Sequence, residues 1–335
     1  MKHAVHWSIC LLHFNELPLR HLFEAFDGVT TGPRSFSGPI GKQIQSKIHL
    51  NPVVAFEAVG HPDNLLELHD DVANNLSQDQ QLLYRYCQAI TSGHISDSLS
   101  CRIIGPVNHS RWLTSAIRML RLYMNSDDPS NELKRLVNYI VMVYAPMWFS
   151  IRYKSSRTEG ARHLFSFIRL CDENLNSNEQ KIVCKVIQNN AYFAHHENVL
   201  LTMLSDENKA NRRQAVKLII DVRKKRTDQH GVRLFKLPSV NFDCNSFYSM
   251  ITWNPAELTE PPVTKKLQDQ ELIDIIGTPL KLHYPCHTTS VERGVKLVTE
   301  ASAKVLGKDH RQKKIIATLS SRKKTTKFES KKDFN

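Results

Sequence analysis

Along most of the chain, apolar residues return every three or four positions, the repeat of an amphipathic helix and not the alternation of a half-buried strand. The repeat starts in residues 3–26 and is interrupted at Pro18, which predicts a second helix opening there with proline in its first turn. Residues 28–42, GVTTGPRSFSGPIGK, are the stretch richest in glycine and proline and predict a loop. Asp63 and Ser77 stand as caps before two helical patterns, NLLELHDDVANNL and QDQQLLYRYCQAI. CRIIGPV, residues 101–107, is short, β-branched and ends in Gly-Pro, so it reads as a short strand or an extended connector. Long helical patterns then cover 109–124, 130–152, 157–171, 178–204 and 207–226, and Pro146 predicts a kink or break inside the second. Residues 227–262 are less regular, and NPAELTEPPVTKKL, with three prolines, reads as an extended connector. A last pattern, 288–306, puts Val291, Val295 and Val298 on one face and stops at Gly307 as a C-cap does. Beyond residue 320, Lys, Ser and Thr leave nothing to build a core, which predicts disorder. The expected fold class is mainly α, with few short strands and a basic disordered C-terminal tail.

Composition sharpens this picture in three ways. A chain of 335 residues suffices for one large domain or two modest ones, and 12 glycines with 14 prolines are too few for many strands joined by tight turns. No run of eighteen apolar residues occurs, so no transmembrane helix is expected. The opening MKHAVHWSICLLHF runs straight on into the next helical pattern and reads as structural, not as a signal peptide. Seven irregularly spaced cysteines without a Cys-x-x-Cys pair suggest reduced thiols in the cytosol or nucleus.

The formal net charge of +12 is concentrated in two places. Residues 212–236 carry nine Lys/Arg against two Asp, and residues 308–335 carry ten Lys/Arg against three acids. Each segment is therefore +7, and the remainder is near −2. Two basic segments on a near-neutral body fit binding to a polyanion, with Arg212, Arg213, Arg223, Lys224, Lys225 and Arg226 as candidate DNA contacts. The plainer alternative is a solvated helix face and a basic tail.

Three further stretches bear chemistry-competent residues. Cys10 and His13 are three apart, so they share a helical face, but a metal would need Cys286 and His287 from far along the chain, and no metal site is expected. In HSRWLTSAIRMLRLY, Ser110 precedes a helix whose first turn holds Arg111 and Trp112; Trp112 can stack on a base while Arg111 holds phosphate, or it can be a core residue. Glu292, in TTSVERGVKLVTEAS, lies one turn into its helix and would by itself only complement the helix dipole. Phosphate-loop, dinucleotide, nucleophile-elbow and HExxH motifs are absent.

Taken in order, these stretches resemble hAT-type transposases. ICLLHFNELPLRHL resembles the Cys-x-x-His helix of that family, NHSRWLTSAIRML its Thr-Arg-Trp helix with Ser110 in place of Thr, and TTSVERGVKL its Ser-x-x-Ser-Glu-Arg helix, with Thr288 or Thr289 and Val291 replacing the serines. The resemblance implies an RNase H-like core interrupted by a helical insertion, with three acids holding two Mg²⁺ or Mn²⁺ ions for DNA strand transfer. It also implies Glu292 as the third acid, His13 near the scissile phosphate, and Arg111 and Trp112 facing DNA. The other two acids of the family lie upstream of the Cys-x-x-His helix and have no counterpart in this sequence. The resemblance thus implies an N-terminally truncated, catalytically incomplete relative in which Glu292 and His13 are relics and no cofactor is held. On this reading residues 1–27 are a remnant of the core, 28–262 the insertion-type domain, 263–320 the closing helical region and 321–335 the tail. Expected partners are DNA and possible further copies of the chain, in the nucleus or cytoplasm. The alternative is a helical protein-interaction module without nucleic-acid function.

Overall fold

The computed structural model describes residues 10–32, 35–46, 53–60, 67–68, 73, 76–105, 111–154, 156–225 and 237–282. The Asp63 cap, the 288–306 helix, the C-terminal tail, Arg226, Cys286, His287 and Glu292 lie outside the described residues, as does the side chain of Arg111.

The chain is mainly α. Among the described residues the α-helices are α1 (Leu11–Asp27), α2 (Pro39–Gln45), α3 (Gln78–Ser92), α4 (Asp97–Ser100), α5 (Arg111–Met124), α6 (Asn131–Tyr139), α7 (Ala145–Tyr153), α8 (Gly160–Asn174), α9 (Ser177–Asn189), α10 (His196–Leu204), α11 (Lys209–Lys225) and α12 (Asp269–Asp274). Among the described residues the only sheet is an antiparallel pair, β1 (Thr30–Gly32) with β2 (Ser35–Phe36). No described helix is long and apolar enough to cross a membrane.

At the centre, α6 and α7 form one continuous rod through a π-helical segment, Ile140–Tyr144. Every residue from Tyr139 to Phe149 is buried, because α1, α3, α5 and α8 surround the rod. The π turn answers the expectation of a kink or break at Pro146. An α-helical proline has no N–H to donate and presses on the carbonyl four residues back. Here the turn before it widens, and the Ala145 N–H bonds Ile140 O five residues back instead of four. Asn15 of α1 steadies the widened turn by donating its side-chain amide to Tyr144 O at 3.0 Å.

Pro18 does not start a new helix. It sits inside α1, which runs unbroken over 17 residues. An internal proline costs about 3 kcal/mol. Burial of Leu11, Leu12, Phe14, Leu19, Leu22 and Phe23 offsets that cost, at roughly 1.5–3 kcal/mol for each large side chain. The stretch 178–204, predicted as one helix, is two. Asn190 and Ala191 leave helical geometry after α9, a 3₁₀ turn follows at Tyr192–Ala194, and extended His195 caps α10 by accepting from Glu197 N. Residues 102–105 of CRIIGPV form no strand and are a connector. Ser77 does cap α3, its own N–H bonding Gln80 Oε1 at 3.1 Å.

The predicted loop 28–42 is instead the β1–β2 hairpin followed by α2. Asp27, buried at the end of α1, organises it: its carboxylate accepts from Ile40 N and Gly41 N, both at 2.7 Å, and so caps α2 from another helix. The approach needs Gly38, where a Cβ would lie 1.8 Å from Asp27 O. One buried cluster runs from Leu11 to Ile275, crossing positions 27/28 and 262/263, where the sequence suggests domain boundaries. Asp27→Ala is expected to lower stability by about 2 kcal/mol through loss of this cap. A loss of unfolding free energy of less than about 0.5 kcal/mol in denaturant titration would show the corner to be held otherwise.

Candidate nucleic-acid interface

Helix α10 is buried on all sides, and α11 packs across it. Ala215, Val216, Ile219 and Val222 of α11 form the buried stripe. The helix begins with two polar turns in series: Asp206 accepts from Asn208 N at 2.8 Å, and Asn208 Oδ1 accepts from Ala210 N at 2.9 Å. Arg162 pins the start by contacting Asp206 at 3.1 Å and Glu159 at 2.9 Å. Burial opposes ionisation of Asp206, but the Asn208 N–H, the Asn211 amide and Arg162 outweigh it and hold the carboxyl below the usual carboxylate range.

Arg212 and Arg223, expected as DNA contacts, are structural in this fold. Arg212 is buried, and its guanidinium donates to Ile275 O (3.0 Å), Ile276 O (2.8 Å), Asp206 O (2.6 Å) and Glu207 O (2.9 Å). It thereby satisfies carbonyls after α12 and at the turn before α11, groups that a helix end leaves without partners. Arg223 donates to Glu260 Oε1 at 2.6 Å and Thr264 O at 2.8 Å and pairs with Asp269. The two arginines are eleven residues apart, three helical turns, so they lie on one side and fasten α11 to the segment that follows it.

The flank of α11 about a quarter-turn round from these arginines is open. Lys209, Arg213 and Lys217 recur every four residues, Lys224 falls on the same line seven residues on, and Lys225 lies beside it; all are exposed. None makes an ion pair with another described residue. From Lys209 to Lys224 the row is about 22 Å long at 1.5 Å per residue. At 3.4 Å of rise per nucleotide in a strand, that length faces roughly six phosphates. Lys209 and Lys217 were not among the residues singled out from sequence; the four-residue step from Lys209 through Arg213 to Lys217 carries the signal.

Of the other predicted residues, those whose side chains are described, His13, Cys10 and Trp112, lie on or at the start of other helices. His13 is exposed on α1 and lies 3.7 Å from Glu16; Cys10 is half-buried at the start of the same helix. Trp112 is half-buried in the seam between α5 and α1, edge-on to Phe23 at 5.6 Å, so its ring is a packing element of the core margin. Phe23 is ten residues beyond His13, which puts the two matched motifs about 15 Å apart along α1. Among the described residues no cluster of His, Cys, Asp or Glu has a metal-binding arrangement.

Comparison with family models, with curated proteins and with solved structures returned no match.

Arg212→Ala is expected to cost about 3 kcal/mol or more, since charged donors to several carbonyls are lost together. Arg212→Lys should recover little of it, because an ammonium lacks the planar fork. Equal stability of the lysine variant and wild type in denaturant titrations would contradict the clamp. For Asp206 the sign of the pH effect follows from its lowered value: the stabilisation is present above about pH 4 and fades as pH falls through the folded value. Asp206→Asn should flatten the fall in stability below about pH 4; an unchanged slope would remove Asp206 from that role.

Proposed function

We propose that this chain is a transposase-derived helical protein that binds nucleic acid through the exposed face of α11 and does not cut it. The observation that carries the reading is the row Lys209, Arg213, Lys217, Lys224 and Lys225, exposed and without ion pairs among the described residues, on a helix fastened down along a neighbouring flank. Positive charge held in a line on a rigid element concentrates phosphate without a folding cost at binding. The resemblance of the three motifs to hAT-type transposases supplies the expected class of partner, DNA, and the expected place, the nucleus. Of the three acids that hold two metal ions in that family, the motifs match one here, Glu292. Self-association belongs to the same family-based proposal.

Each phosphate contact releases counterions, so log affinity for duplex DNA should fall linearly with log salt. Replacing Lys209, Arg213 and Lys217 together by Gln should lower the magnitude of that slope by up to about 2.7, at about 0.9 per contact. These side chains are exposed, so melting should stay near that of wild type. If the chain is instead a helical protein-interaction module, DNA binding will be absent or indifferent to salt and to the triple substitution. Incubation of the full chain with supercoiled plasmid and Mg²⁺ or Mn²⁺ should give no nicking. Nicking that disappears in Glu292→Gln would overturn the non-cleaving part of the proposal.

A further inference from the structure

Beside the basic row, α11 borders a small cleft. Its apolar walls are Leu218 and Val222 from the helix and Trp253, Pro255 and Leu258 from the irregular segment after it. Asp221 and Lys225 complete the rim. Leu218, Asp221, Val222 and Lys225 follow the i, i+3, i+4, i+7 pattern, so they share a face adjoining the basic row. Trp253 is held rigidly: its indole N–H donates to Tyr248 O at 2.9 Å and its ring meets His196 of α10 at 5.6 Å. Two features stand out. Asp221 is the only acid in α11, where seven residues are Lys or Arg. It forms no ion pair with a described residue, although Lys217 and Lys225 are each one turn away. The cleft encloses about 80 Å³, well below the roughly 300–1,000 Å³ of pockets that engulf a small molecule. It therefore suits the edge of a flat group whose anchor lies outside, on the row of cations.

We infer that the cleft takes an unpaired nucleobase of a single-stranded nucleic acid whose phosphates lie on the Lys/Arg row, and that Asp221 favours bases bearing an exocyclic amine. The inference rests on the nucleic-acid reading of α11 and specifies its substrate. An aromatic side chain next to a cationic track is the arrangement that binds single strands, because every base offers a π-face once unstacked. A duplex keeps its bases stacked inside and presents none to the cleft. The carboxylate is an acceptor only, so it pairs with the N4 amine of cytosine and repels the carbonyl at the same position of thymine. Charge complementarity selects this occupant over an apolar peptide: the lip carries Lys225, with Lys224 next to it, and the floor is too small for a buried side-chain row.

The test uses the full chain and three fluorescent probes at one salt concentration: fifteen-residue oligo(dC), oligo(dT) and a duplex of the same length. Oligo(dC) should bind most tightly, and the intrinsic fluorescence of wild type should be quenched by it. Trp253→Leu should weaken oligo(dC) binding about tenfold, toward the low end of one base–aromatic stack, and leave duplex binding unchanged. Asp221→Asn, which alters no core contact, keeps the inference testable if the Trp253 variant misfolds. It should abolish the preference of oligo(dC) over oligo(dT). Salt-dependent duplex binding with equal affinity for both single strands, unaffected by Asp221→Asn, would overturn this inference and leave the nucleic-acid reading standing. Failure of all three probes to bind would overturn both.

Discussion

One guanidinium decides what α11 can do. Arg212 gives its donors to carbonyls on two sides, the turn before its own helix and the end of α12. The apolar stripe Ala215, Val216, Ile219 and Val222 turns one side of the helix toward the core, and the arginines at its edge set the rotation finely. Once Arg212 and, three turns later, Arg223 are committed to buried acceptors, rotation about the helix axis is fixed. Lys209, Arg213, Lys217 and Lys224 are then left facing water as a consequence. The charge run therefore divides into cations that hold the fold and cations that remain available.

The clamp works because α10 beneath it is itself immobile. Its nine residues are buried, including Glu197, whose carboxylate accepts from Thr259 at 2.8 Å, and Thr202, whose hydroxyl donates to Asn198 O at 3.0 Å. Polar groups so deeply placed are tolerated only when hydrogen-bonded, and they resist displacement because moving them would forfeit those bonds. The same logic governs the central rod, where the π turn lets an internal proline remain inside a fully buried helix. Of the two, α10 is the stiff support for the charge on α11.

Much of the architecture was legible in the sequence, and the failures have physical causes. The 3.6-residue period located α1, α3, α5, the central rod, α8, α9 and α11, since it records a buried face directly. It missed the break at Asn190 because Val183, Ile187, Ala191 and Ala194 keep helical spacing across the polar residues Gln188, Asn189 and Asn190. It missed the β1–β2 hairpin and α2 because their organiser, Asp27, acts over thirteen residues, beyond any local cap rule. Pro18 was misread because local rules price the lost hydrogen bond and not the burial that offsets it. At the candidate site the run of basic residues was plain, but its partition was not. Arg212 and Arg223 share the side of Ala215, Val216 and Ile219, a pattern that a helical projection contains. Their acceptors, at Ile275, Ile276 and Glu260, lie 37 to 64 residues away and leave no local trace. Trp112 could be core or contact by sequence, and only the neighbouring Phe23 decides it.

The most direct measurement of the central claim is lysine acylation footprinting, read by mass spectrometry with and without saturating single-stranded or duplex DNA. Lys209, Lys217, Lys224 and Lys225 should lose reactivity on binding, while Lys42 and Lys181, equally exposed on α2 and α9, should react as before. Protection of Lys42 and Lys181 to the same degree, or no protection on α11, would contradict the assignment of this helix as the nucleic-acid face.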